Sequence, residues 1–148
     1  SFRLKICIFG AGAIGGFVGA KLAEAGAEVS MVARGPHLSE MKRNGLTLLE
    51  EGLNPRRIKI KVAQDPSELG TQDFVFVTLK AHSVPSVAES MAPLFREDTT
   101  IVSGVNGVPW WYFYTVGGEF EGTRLSSVDP DNKQWNFFGP ERVLGCVV

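Results

Sequence analysis

Two rhythms alternate in the hydrophobic positions of this chain. Lys5 to Phe9 reads as a short strand, apolar on both faces like a strand buried in a parallel sheet. The spacing then changes to threes and fours. Ile14, Val18, Leu22 and Ala25 fall on one face of a helix predicted over Ala13 to Ala25, with Lys21 and Glu24 on the other. Gly26 stands where that helix should stop, and Val29 to Val32 is the next strand. Strand, turn, helix and strand make one βαβ unit.

The alternation continues. Gly35-Pro36 starts a short helix that Asn44-Gly45 ends. Leu46 to Leu49 and Ile58 to Val62 read as two strands, the second with one face solvated because Lys59 and Lys61 interleave its apolar residues. Asp65-Pro66 caps a short helical turn, and Phe74 to Leu79 is a fully apolar strand. Ser83 to Phe95 is predicted helical with Pro85 in its first turn. Thr100 to Ser103 is a strand, Leu125 to Gly139 is polar and turn-like, and Arg142 to Val148 is a last apolar strand. This order predicts an α/β fold, an open and mostly parallel sheet with helices on both faces.

Length and composition narrow the picture. With 148 residues, 44% hydrophobic and 21% charged, the chain suits one globular domain, residues 1–148. A net charge of −1 offers no electrostatic footprint for nucleic acid or an anionic membrane. No apolar run is long enough for a membrane span. Cys7 and Cys146 sit in apolar runs and make no disulfide framework. His37 and His82 are far apart, and no metal-ligand spacing occurs. A cytoplasmic protein in a reducing compartment is expected. Because the chain opens on Ser1 and closes on an uncapped strand, trimming at one end and continuation past the other are expected.

Gly10, Gly12 and Gly15 spell G-x-G-x-x-G between the first strand and the first helix. That context gives the string its meaning. Gly10 permits a tight turn, Gly12 lets backbone approach a diphosphate, and Gly15 lets helix pack on strand. The amide groups around Ala11, Ala13 and Ile14 then face phosphate at the positive end of the helix. A ligand-free glycine turn is the bland alternative. The predicted fold is thus a Rossmann-like, doubly wound sheet. NAD sites usually carry Asp or Glu at the tip of the second strand, but here the sequence is Val32-Ala33-Arg34-Gly35. A guanidinium at that tip would pair with a 2′-phosphate, which favours NADP (NADPH) over NAD. The alternative is an idle, solvated Arg34.

Taken together, G-A-G-A-I-G-G at Gly10 to Gly16, V-A-R-G at Val32 to Gly35, L-K-A at Leu79 to Ala81 and N-G-V at Asn106 to Val108 resemble the ketopantoate reductase (2-dehydropantoate 2-reductase) family. The likeness covers its amino-terminal, nucleotide-binding half. It implies NADPH-dependent reduction of a small 2-keto acid, ketopantoate, to pantoate on the route to pantothenate and coenzyme A. It also implies a helical carboxy-terminal domain outside this chain, which would carry the general acid. Lys80 and Asn106 would lie at the carboxyl ends of their strands, beside nicotinamide and substrate, and are the candidate catalytic residues. A homodimer is left open.

Each of these side chains has a plainer reading. Lys80 could snorkel from the sheet edge, and Asn106-Gly107 is a strong turn former. His82 and His37 are set aside as incidental. The run Trp110 to Tyr114 fits core plus an interface with the further domain, and Arg56, Arg57, Lys59 and Lys61 fit a charged edge strand. Two rival functions stand beside the reductase: another NADP-dependent hydroxy-acid or sugar-acid dehydrogenase, and a non-enzymatic dinucleotide sensor.

Overall fold

The structure is a computed structural model in which residues 3–10, 13–78, 84–103, 122, 124 and 130–145 are described. Its frame is a six-stranded sheet built from β1 (Lys5–Phe9), β2 (Glu28–Val32), β5 (Lys61–Ala63), β6 (Phe74–Val77), β7 (Thr100–Ser103) and β8 (Val143–Gly145). The spatial order is β5-β2-β1-β6-β7-β8, and every neighbouring pair is parallel. The chain therefore builds outward from β1 in one direction and later returns to build in the other from β6. That reversal is the switch point at which open α/β sheets hold ligands, outside the carboxyl ends of the strands. The expected Rossmann-like, doubly wound sheet is the one observed.

Side chains of β1 alternate between two cores. Ile6 and Ile8 join Val29, Met31, Met41 and Val62, with Val18, Leu22 and Leu38 packed against them. Those last three come from α1 (Ala13–Glu24) and α2 (Gly35–Asn44). Cys7 and Phe9 point the other way, toward Val84, Ala88, Met91, Leu94 and Phe138. These come from α3 (Val84–Val87), a 3₁₀ segment (Glu89–Leu94), Ala88 between them, and α4 (Lys133–Phe138). Helical segments thus cover both faces.

Among the α1 positions whose burial is described, Gly19 and Ala20 are buried, while Val18 and Leu22 are half-buried. A Cβ on Gly19 would lie 3.4 Å from Ile8 Cγ1 and 3.6 Å from Leu46 Cδ1. Small residues thus bring this helix close to the sheet, and Ala25, expected on the apolar face, is exposed past its end. The helix stops as Gly26 predicts. Gly26 has φ 101°, its N–H donates to the Ala23 carbonyl, and the Ala27 N–H donates to the Leu22 carbonyl. Those two bonds are the Schellman closure.

Three expected elements are corrected. The strand expected over Ile58 to Val62 divides: β4 (Arg56–Ile58) pairs antiparallel with β3 (Leu46–Leu48), and β5 joins the main sheet. Burial does alternate along the stretch, but one rhythm serves two sheets. The helix expected over Ser83 to Phe95 is a short α-turn followed by 3₁₀ geometry, with Pro85 in the turn and Pro93 inside the 3₁₀ segment. Pro93 supplies no backbone donor, which shortens any α-helix there. The turn-like Leu125 to Gly139 contains α4, entered through Asp131 and Asn132 at positive φ.

The amino ends of the central strands are tied by polar contacts. The Lys5 N–H donates to Asp73 Oδ2 (2.7 Å), and Arg96 pairs with Asp73 and with Asp98. Arg142 Nη1 donates to the Arg96 carbonyl (2.8 Å), and Thr99 Oγ1 to that of Gln72 (2.6 Å). The expected charged edge holds for Lys61 on β5. Arg56 instead bonds Glu24 at 2.7 and 2.9 Å and Glu50 at 3.4 Å, while Lys21 bonds Glu50 at 2.8 Å. Those pairs clamp the β3–β4 hairpin onto α1.

Candidate functional site

At the carboxyl end of β1 the chain passes from buried Phe9 to Gly10, whose φ of 124° favours glycine. Ala11 and Gly12 lie outside the described residues. Ala13, Ile14 and Gly15 form the first turn of α1, and that turn carries no acidic residue. The amino end of a 12-residue helix therefore opens at the switch point with no first-turn carboxylate competing for its amides.

Arg34 follows β2 and stands just before α2 in extended geometry (φ −132°, ψ 156°). Its side chain does not cap that helix. It is exposed, and no described residue forms a hydrogen bond or ion pair with it. Pro36 occupies the first turn of α2, as its sequence predicts.

Beside Arg34 lies an open cleft of ≈ 500 Å³ lined by Phe9, Arg34, Gln64, Asp65, Pro66, Glu68 and Ser90. It sits past the carboxyl ends of β1, β2 and β5. Its floor is shaped by the 3₁₀ turn Pro66–Glu68, capped as expected by Asp65 Oδ1, which accepts from the Ser67 N–H at 2.9 Å. That backbone N–H holds the Asp65 carboxyl below its usual range. The cleft lining thus carries one guanidinium, Arg34, and two carboxylates, Asp65 and Glu68. Gln64, Asp65 and Glu68 share one short segment, but Arg34 and Ser90 come from others, so only the fold reveals them as neighbours.

One residue with no motif behind it also reaches the turn. Thr78, directly after β6, donates its N–H to the Phe9 carbonyl (3.1 Å). Its hydroxyl lies 3.4 Å from that carbonyl and 3.2 Å from the carbonyl of Gly10.

Of the sequence-predicted site residues, the structure brings Gly10, the first turn of α1 and Arg34 to one end of the sheet. Lys80, Asn106, His82, Trp110 to Tyr114 and Cys146 lie outside the described residues. His37 is an exposed residue of α2's first turn. Cys7 is fully buried, and burial pushes its thiol up to about 12, so it stays protonated near neutrality.

A parallel sheet with a switch point, a glycine turn there and a helix opening onto it define a Rossmann-like α/β domain. Residues 6–109 match the family model described as ketopantoate reductase PanE/ApbA. The chain belongs to the ketopantoate reductase family, a family of nicotinamide-dinucleotide-dependent oxidoreductases. It is 51% identical over 146 residues to a 2-dehydropantoate 2-reductase of Mesorhizobium japonicum, covering 98% of this chain and 44% of that protein. A solved structure of a candidate ketopantoate reductase from Ralstonia solanacearum MolK2 superposes with a TM-score of 0.92 at 41% identity, over 99% of this chain and 45% of that one. A D-mandelate dehydrogenase structure shares the fold at 21% identity, with a TM-score of 0.73 over 96% of this chain and 40% of its own. The chain thus spans less than half the length of these relatives. Among the described residues no helix is long and apolar enough to cross a membrane.

Proposed function

We propose that this chain is the nucleotide-binding part of an NADPH-dependent reductase that converts 2-dehydropantoate to pantoate, on the route to pantothenate and coenzyme A. The observation that carries the cofactor choice is Arg34. A cation without a described partner stands at the tip of β2, on a cleft, where an NAD site would place a carboxylate. The dinucleotide fits the residues present: positive φ at Gly10 allows the turn, and the start of α1 offers backbone donors to a diphosphate.

In this reading the cofactor, when bound, supplies the hydride. The chain's own residues hold and orient it. Gly10, Ala11, Gly12, Ala13, Ile14 and Gly15 cradle the diphosphate, and Arg34 grips the 2′-phosphate. Lys80 and Asn106 are assigned to the nicotinamide and substrate side on the strength of the family motifs. The general acid is supplied by a carboxy-terminal domain beyond this chain, so residues 1–148 alone should bind cofactor and turn over poorly. Buried, unpaired Cys7 suits the reducing cytoplasm.

In the whole protein, Arg34→Ala should weaken NADPH binding by about 1.5–3 kcal/mol, the value of hydrogen bonds to a charged group, and leave NADH nearly unchanged. Calorimetry that finds equal losses for both cofactors removes Arg34 as the selector. An assay of the whole protein against ketopantoate and other 2-keto acids tests the substrate. Preference for a different keto acid replaces it, and dinucleotide binding without any reductase activity favours the sensor.

A further inference from the structure

Resting on the dinucleotide reading above, we propose that Thr78 is a positioning residue: its hydroxyl latches the glycine turn of β1 to the end of β6 and so sets the diphosphate cradle. The two strands pair through Phe9 and Val77. One residue further on, the backbone rung continues only as the Thr78 N–H donating to the Phe9 carbonyl (3.1 Å). Beyond that rung β1 turns away through Gly10 at φ 124°, and the Gly10 carbonyl leaves the ladder.

Gly10 is buried, so its carbonyl needs a donor. Thr78 Oγ1 provides it at 3.2 Å, with the Phe9 carbonyl as a second acceptor at 3.4 Å. A hydroxyl has one proton, and the shorter contact directs it to Gly10. Fixing that carbonyl fixes the peptide plane that follows it, whose N–H belongs to the turn. A free Gly10 would rotate readily about φ and ψ. The latch spans the gap between β1 and β6, where the strand order reverses and the crevice opens.

The latch and Arg34 should be separable by ligand. In the whole protein, Thr78→Val keeps the shape and removes the donor. It should weaken NADPH and NADH by the same factor, about 3- to 10-fold, as one lost hydrogen bond does. It should leave 2′-AMP, which lacks the diphosphate bridge, bound as before. Thr78→Ser retains the hydroxyl and should bind both dinucleotides like the unaltered protein. Titration by nucleotide fluorescence and calorimetry reads all of these directly. Thr78→Val binding both dinucleotides with unaltered affinity overturns the latch and leaves the dinucleotide reading standing. Equal loss of 2′-AMP, or a Thr78→Ser protein as weak as Thr78→Val, also overturns it. An unaltered protein that ignores NADPH and NADH alike overturns the dinucleotide reading and the latch with it.

Discussion

The two faces of the sheet are covered by different materials. On the face of Ile6 and Ile8 lie α1 and α2, of 12 and 10 residues, and α1 approaches through Gly19 and Ala20. On the face of Cys7 and Phe9 the cover is a four-residue α-turn, 3₁₀ pieces and the six-residue α4, with prolines 85, 93 and 140 among them. At the centre of the sheet both faces bury β1 fully: Ile8 is 0% exposed on one side and Cys7 is 0% on the other. Burial at β1 is therefore equal, and continuity of helix is what differs. Of the described helices on the two faces, only α1 starts directly from the switch point with enough turns for its peptide dipoles to add up. The described segments of the broken face offer no such end, and the proposed diphosphate cradle and Arg34 both belong to elements of the continuous face.

The largest expected effect tests the close approach of α1. Ile8→Ala should destabilise by about 2–5 kcal/mol in urea unfolding, from lost burial plus the cavity left under the helix. Gly19→Ala in that background should recover part of the loss, because its Cβ points at the emptied space and alanine favours helix. A cost below about 1 kcal/mol would mean the helix settles freely onto the sheet, and the glycine contact would lose its significance.

A smaller effect is expected where the broken face is tied down. Asp73 accepts from the Lys5 N–H and pairs with Arg96, and its side chain is 13% exposed. Asp73→Ala should cost about 1.5–3 kcal/mol, the value of hydrogen bonds to a charged group, because the part-buried Lys5 N–H loses its acceptor. Hydrogen exchange should quicken at the amino ends of β1, β6 and β7 before it changes at Gly10. Uniform quickening along β1 would instead show that the two ends of the sheet are not separate.

Much of this contrast was legible in the sequence, and the illegible parts share a cause. β1, α1, β2 and α2 were readable because each has its own period and its own punctuation, such as Gly26 or Gly35-Pro36. α4 was not: Lys133 to Phe138 is too short for a 3.6-residue period to show, and its entry depends on positive φ at Asp131 and Asn132. Ile58 to Val62 kept a strand's alternation while its two ends joined different sheets. The same holds for the site. Gly10 and Arg34 belong to a local pattern. Thr78 reads as one more residue after an apolar strand, and its partner lies 68 positions away. The walls of the cleft, Gln64, Asp65, Glu68 and Ser90, acquire meaning only when the fold brings them to Arg34.

The smallest expected effect concerns the ion pairs that hold the hairpin on the continuous face. The Lys21 ammonium bonded to Glu50 lowers its carboxyl below the ordinary 4.5, and the Arg56 guanidinium does the same to Glu24. Both acids are depressed in the folded state, so the stability they lend is fully present above 4.5 and is lost as pH falls through the folded-state values. All four side chains are substantially solvated, which keeps the effect modest and makes it shrink with added salt. The urea midpoint should accordingly fall as the solution is acidified below pH 4.5, and Glu50→Gln should flatten that fall by starting from a slightly lower midpoint at neutral pH and meeting the unaltered protein in acid. Because the hairpin packs on α1, exchange protection should drop in β3 and β4 and stay constant in the 3₁₀ segment Glu89–Leu94. An acid response that is identical in Glu50→Gln, or that begins in the 3₁₀ segment, would place the acid-sensitive contacts on the broken face instead.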